Sequence, residues 1–479
     1  MKINVSHHVQ KLIDHFWGPS GSVLIHILVI LALIKFVTYT KVEKAPEVEV
    51  VIMDPDATDL EEFEKELEKM EDLPEVVNDE MAPPDVAMDQ PPDVENFAAA
   101  EPDVDFAALD VQNDIQSPLV MRGLFQGRSA SGRASALNQY SQKWGQMTEA
   151  AVLKALNWLK KHQNPDGSWS PNKPAMTGLA LLTFLAHGET TSSEDYGQTV
   201  EKAIRFLVSQ QDAEGRFTKI DQPGSYAHAI ATYGISEAYG LTRVPAIKPV
   251  MEKAVQVILN GQQAKGGWDY DYKKAARRDT SVAGWQVQAL KAAYIAGAEN
   301  AGIKEAMDKA LADLKSAFEP ESGQFYYTDA SGHRNDSITA IGVLCLQLLG
   351  HAGDREARGG LQSLQGTSCD WEKPMHWPMY GWYYITQAKF HQGGQSWAGW
   401  NAKFARVFVK NQNEDGSWTS AGANLDKNDG KEVYLGPVYA TTLAALTLQV
   451  YYRFLPTYKP IAVEPISQTD TNDVVIEIL

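Results

Sequence analysis

Two aspartates stand just ahead of apolar runs, where a carboxyl can serve as acid, metal ligand or helix cap. Asp279 lies in ARRDTS (276–281) and Asp336 in HRNDS (333–337). Protonating an apolar substrate needs a carboxyl kept protonated and activated by neighbours in a dry cavity. Beside Asp279 stand Ala276 and Arg278, and beside Asp336 stand His333 and Asn335, so neither has a second carboxyl to work with. A guanidinium cannot replace one as the acid. Zinc favours nitrogen and sulfur ligands, yet Asp279 is followed by Thr280 and Ser281, with no thiolate. The simpler reading makes both aspartates N-caps of the helices they precede. If the chain is an enzyme, these two are its candidate acids. No metal and no cofactor are expected.

A second set of residues could hold a ligand without chemistry. Trp268, Tyr270, Trp285, Trp377, Tyr380, Trp382 and Tyr383 crowd one set of apolar helices and their approaches. Such rings can line a cavity for an isoprenoid or stack on sugars. Converging helices also need bulky filling, and that reading carries more weight. The two cysteines, Cys345 and Cys369, make no disulfide framework.

These residues are positioned by a repeat. QNPDGSW (163–169) returns as QNEDGSW (412–418), with degraded copies between: QDAEGRF (211–217), QQAKGGW (262–268), EPESGQF (319–325) and QGTSCDW (365–371). Each heptapeptide follows an amphipathic pattern such as TEAAVLKALNWLKKHQ and precedes one apolar on most faces, such as MTGLALLTFLAHG. One helical hairpin per period gives an all-α fold: an α/α-toroid of about six hairpins over 141–456, amphipathic helices outside and apolar helices inside. Within each heptapeptide the Gly allows a tight turn, the Gln satisfies helix-end groups and the aromatic fills a seam.

The Q-x-x-x-G-x-W pattern over about 145–456 resembles the repeat of the squalene–hopene cyclase and protein prenyltransferase superfamily. The resemblance implies the toroid fold. Cyclases of that superfamily carry D-x-D-D-T ahead of an inner helix, with the middle Asp as acid, and Arg278 takes that position here. Prenyltransferases hold zinc with Asp and Cys of D-T-C plus a His. Asp279-Thr280-Ser281 lacks the Cys, and Asp336 falls where the His would be. The reading therefore leans away from an enzyme.

Ahead of the toroid, residues 21–39 (GSVLIHILVILALIKFVTY) are long and apolar enough to span a bilayer, after a cytoplasmic start over 1–20. His26 sits inside that stretch, where an ionisable group is costly and usually functional. The spacing of Ser22, His26 and Leu33 resembles the S-x3-H-x6-L-x3-S signature of the TonB transmembrane helix, Val37 departing at the last position. That resemblance implies coupling through Ser22 and His26 to ExbB–ExbD-type proton-driven inner-membrane motor proteins, with the toroid in the periplasm. Residues 40–140 read as an acidic, Pro-rich linker ending in a flexible hinge at 123–140, and 457–479 as a tail. The linker accounts for the net charge of −18, which leaves the toroid near neutral and argues against nucleic acid. The expectation is a membrane-anchored toroid that binds a partner or apolar ligand without catalysis. The alternatives are a terpenoid cyclase or prenyltransferase-like enzyme, and a structural module with a passive anchor.

Overall fold

A computed structural model describes residues 128–217, 224–274, 277–328, 332–422 and 431–452. The expected span 21–39 with Ser22 and His26, the acidic linker and the tail 457–479 lie outside the described residues.

Helix α1 (Ala130–Tyr140) leads into six hairpins. Their outer helices are α2 (Gly145–Lys161), α4 (Gly197–Gln210), α6 (Lys248–Gly261), α8 (Ile303–Ser316), α10 (Arg355–Ser363) and α12 (Gly394–Lys410). The inner helices are α3 (Lys173–His187), α5 (Ser225–Thr242), α7 (Thr280–Ala296), α9 (Asp336–Leu348), α11 (Pro378–Gln392) and α13 (Gly436–Leu448). Burial follows the sequence pattern. In α2 the buried Val152, Ala155, Leu156 and Leu159 form one stripe, whereas every residue of α3 from Pro174 to His187 is buried. Each inner helix packs on the next, and α13 packs back on α3, so the ring closes. The stretch 432–451, the one helix among the described residues apolar and long enough to cross a membrane, is mostly buried as an inner stave of this ring.

The heptapeptides build the seams. Gln163 donates to the carbonyl of its own Gly167 and to that of Thr199 at the start of the next outer helix. Gln211 does the same with Gly215 and Val250, and Gln262 with Gly266 and Ala306. Gln412 closes the circle, donating to Gly416 and to Ala151 of α2 at 2.8 Å. The indoles of Trp169, Trp268 and Trp418 each donate to a carbonyl of the preceding outer helix, those of Leu159, Ile258 and Phe408. Gly167, Gly215, Gly266 and Gly416 adopt positive φ with their Cα pressed on the backbone of the next outer helix. The fourth copy departs: EPESGQF folds into a two-stranded hairpin, β1 (Phe318–Glu319) with β2 (Gln324–Phe325).

Two expectations need correction. Residues 130–140, read as part of a flexible hinge, are helical: Ser129 caps α1 through Gly132 N–H, and Arg133 fixes the helix to the carbonyl of His187. Asp336 is not an N-cap. Asn335 accepts from Ile338 N–H in that role, and Asp336 is the first helical residue, accepting instead from the Thr367 hydroxyl at 2.6 Å.

All inner helices run in the same direction, so the ring has a mouth at their N-termini and a foot at their C-termini. The chain enters at the foot through Arg128, which lies against Leu185 and Glu237. It leaves there through Tyr452, whose hydroxyl donates to Glu149 at 2.9 Å.

Candidate functional site

At the mouth, Asp279 caps α7: Oδ1 accepts from the amides of Ser281 and Val282 and from the Ser281 hydroxyl. Its other oxygen accepts from Arg277 at 2.9 Å, and the side chain is fully buried. A carboxyl enclosed in this way has no free oxygen facing a substrate. The N-cap expectation for Asp279 therefore matches its geometry.

Arg277 organises the surrounding rim. Its guanidinium also pairs with Asp269 and lies over the rings of Tyr270 and Tyr327, 5.0 and 5.8 Å from their centroids. The Tyr270 and Tyr327 hydroxyls meet at 2.7 Å. Burial, with the Asp279 charge, pushes the Tyr327 phenol up. Tyr226 stacks obliquely on Tyr270 at 5.7 Å and shares a short hydrogen bond with the Ser281 hydroxyl. Tyr380 donates to the Ser281 carbonyl at 3.3 Å. Tyr270 is 37 % exposed, and Tyr226, Tyr327, Tyr380 and Trp377 are half-buried. The rim thus presents partly open aromatic faces, while the guanidinium is neutralised by two carboxylates. Arg278 pairs with Asp313 at 2.7 Å and donates to Thr280 and the Thr328 carbonyl.

Glu432 adds a second buried carboxyl from the last hairpin. It accepts from the first amides of α11, Met379 at 3.0 Å and Tyr380 at 2.9 Å, and from the Tyr439 hydroxyl. Burial, only partly offset by these donors, pushes it up to about 7. Neither Arg277 nor Glu432 stood out in the sequence. Arg277 is one of four bases within six residues (273–278), and Glu432 acts on amides more than fifty residues earlier in the chain.

Below the rim, side chains meet across the ring. Helices α7 and α11 are separated on the ring by α9, yet Trp285 stacks on Tyr383 at 5.9 Å and meets Tyr384 edge-on. Gln288 bridges the same two tyrosines, donating to Tyr384 at 2.9 Å and accepting from Tyr383 at 3.3 Å. Trp285 and Gln288 are 2 % and 1 % exposed and both tyrosines 0 %, so a water-sized space borders none of them appreciably. On the same helix Lys291 is fully buried, its amine has no hydrogen-bond partner among the described residues, and burial pulls it down to about 7.

The candidate ligand-binding aromatics therefore divide by place. Tyr270, Tyr380 and Trp377 are at the rim. Trp285 and Tyr383 meet across the ring below it. Trp268 is a seam indole, and Trp382 is buried against Trp371 and Phe408 on the side of the outer helices. Asp336 faces Thr367 and Gln324. Among the described residues no cluster of three His, Cys, Asp or Glu could hold a metal ion.

No protein-family sequence profile matches the chain. Over 129 residues it is 30% identical to a drimenyl diphosphate synthase of Streptomyces showdoensis, a match over 24% of this chain and 22% of the relative, about a fifth of that protein's length. Among solved structures it is similar to a GH76A α-1,6-mannanase of Salegentibacter (TM-score 0.46, 14% identity, 65% of this chain and 100% of that one). It is also similar to a GH76 α-mannanase of Bacteroides thetaiotaomicron (TM-score 0.47, 12% identity, 64% and 96%). A third likeness is to a variant of the type II terpene cyclase MstE from Scytonema (TM-score 0.47, 12% identity, 67% and 99%).

Proposed function

We propose that the toroid is a binding module without catalysis, and that it takes its ligand or partner at the rim formed by Tyr226, Tyr270, Tyr327, Tyr380 and Trp377. The observation that carries this reading is the contact across the ring below the rim: Trp285, Gln288, Tyr383 and Tyr384 pack on one another at 2 % exposure or less, so no ligand-sized space borders them. The sealed cap at Asp279 supports it as well, because a general acid must reach its substrate. Aromatic faces with polar tips suit contact with a partner that is itself part apolar and part polar.

In the full chain this module is tethered to the bacterial inner membrane through 21–39 and coupled through Ser22 and His26 to an ExbB–ExbD-type motor. The support for that is the residue spacing of the N-terminal segment. Co-purification in mild detergent tests it: motor subunits should accompany the wild type and be lost with His26→Ala. The same set with both proteins would reject the coupling.

The segment shared with a diphosphate synthase keeps one second reading in view, an enzyme acting on an isoprenoid. Incubation of the full-length protein with squalene and with geranylgeranyl diphosphate decides between the two. The binding reading expects no cyclised or hydrolysed product. Turnover that disappears in Asp279→Asn would replace it with the enzyme reading.

A further inference from the structure

Five of the six seams between neighbouring hairpins are crossed by the chain itself, which runs from each inner helix into the next outer one. The seam between the sixth hairpin and the first is not. It is held by α13 on α3, by Gln412 on Ala151 and by Gln449 donating to the Thr183 carbonyl. Noncovalent closure makes it the place where the ring can open at least cost, because no loop must be stretched.

Residues 128–144 lie across that seam. Arg128, 3 % exposed, pairs with Glu237 of α5 at 3.0 Å and donates to the Leu185 carbonyl at the end of α3. Arg133 pairs with Glu149 of α2 and donates to the carbonyls of Arg128 and His187. On the far side, the Tyr140 carbonyl accepts from Trp397 at 3.3 Å and Asn401 at 3.4 Å, both on α12. The Tyr140 ring meets Phe390 of α11 edge-on at 5.5 Å. One short segment therefore holds hairpins one and two on one side and five and six on the other. The contacts to the flanking hairpins named above are mostly polar, while Ala136, Leu137 and Trp144 are the segment's buried apolar side chains. Directional contacts of this kind are lost with a small displacement, so removing one charged partner weakens the hold of the segment on both sides of the seam.

We propose that residues 128–144 are a detachable staple, and that withdrawing them opens the ring at the seam between the sixth and first hairpins while the other five seams stay closed. Gly188 is built for this crossing. It has a φ of +95°, and a Cβ there would collide with the Arg128 carbonyl.

Hydrogen exchange on the full-length protein, read by mass spectrometry, tests the proposal with Arg128→Ala. Exchange at 176–187, 440–448 and 151–157 should accelerate by about tenfold or more, the scale expected from losing a charged hydrogen bond, with 283–293 and 340–347 unchanged within about twofold. Arg133→Gln, measured in the same way, covers the case in which the first variant does not fold. Acceleration spread evenly over the six hairpins would overturn the proposal, since the ring would then loosen as one body. So would acceleration confined to 128–144, which would show a frayed segment over a ring that stays shut.

Discussion

Replacing Gly416 with alanine tests whether the ring is closed at all. Gly416 belongs to the last heptapeptide, yet it packs on the first outer helix: its φ is +92°, and a Cβ would lie 2.5 Å from the Lys154 carbonyl oxygen. Two costs add. Holding an L-residue in the left-handed region costs roughly 1–2 kcal/mol. Forcing a methyl into a packed backbone contact costs roughly 1–3 kcal/mol more. A total of about 3 kcal/mol corresponds to a fall in Tm of about 4–5 °C for a domain of roughly 320 residues. Thermal melts followed by circular dichroism give the readout. Gly366→Ala is the control, because nothing lies within 4 Å of a Cβ there. Gly167→Ala is the comparator, since that glycine meets the Lys202 carbonyl at a seam the chain itself crosses. Closure requires Gly416→Ala to fall about as far as Gly167→Ala. If it melts with the control instead, the contact between the sixth and first hairpins contributes nothing, and the chain is an open solenoid in solution.

Three further substitutions probe buried charges. Lys291 titrates near 7 when folded, against an ordinary value near 10.5, so stability should climb as pH rises between those values, by at most about 4 kcal/mol. Lys291→Met should flatten that climb and raise the Tm at pH 7; an unchanged urea midpoint profile would mean that the amine is solvated. Burial opposes a charge on His187, but hydrogen bonds to Glu149 and Glu189 outweigh it, with Arg133 opposing, and hold the imidazole above 6.5. Its contribution should be complete below pH 6.5 and fade as pH rises through the folded value, and His187→Gln should remove that loss from a series of melts. Glu432, pushed up to about 7 by burial, should make stability decline as pH rises from about 4.5 to 7. The decline should vanish in Glu432→Gln, and its persistence would move the cause elsewhere.

The sequence is readable wherever a feature repeats. Six heptapeptides at near-even spacing announce six hairpins, and the alternation between one apolar stripe and apolar faces all round tells outer helices from inner ones. What escapes depends on partners far along the chain. Residues 130–140 look like a hinge because Ser, Gly and Ala dominate them; they are helical where Arg128 and Arg133 find carbonyls and carboxylates up to 109 residues away. The slip between Asn335 and Asp336 has a local origin, since both side chains cap helices equally well and only the backbone decides which one stands at the boundary. The rim divides the same way. Tyr270 and Tyr380 are visible in a crowd of aromatics, but Tyr226 and Tyr327 are not, and the order around Arg277 comes from bringing 269, 277, 279 and 327 together.

The shared foot, where the chain arrives at Arg128 and departs at Tyr452, makes the ring topologically re-cuttable. Both ends meet in one hydrogen-bonded group through Glu149 and Arg133. A short linker from 452 to 128 would leave a chain with no obligatory beginning, and new termini could be placed in the turn at Gly350–Gly353, where neither glycine has a neighbour within 4 Å of a Cβ. Such a circular permutant would put a peptide bond across the one seam that lacks it and cut another that has it. The position of the natural break, unlike the ring itself, would then be seen as a choice of order along the chain rather than a requirement of the fold.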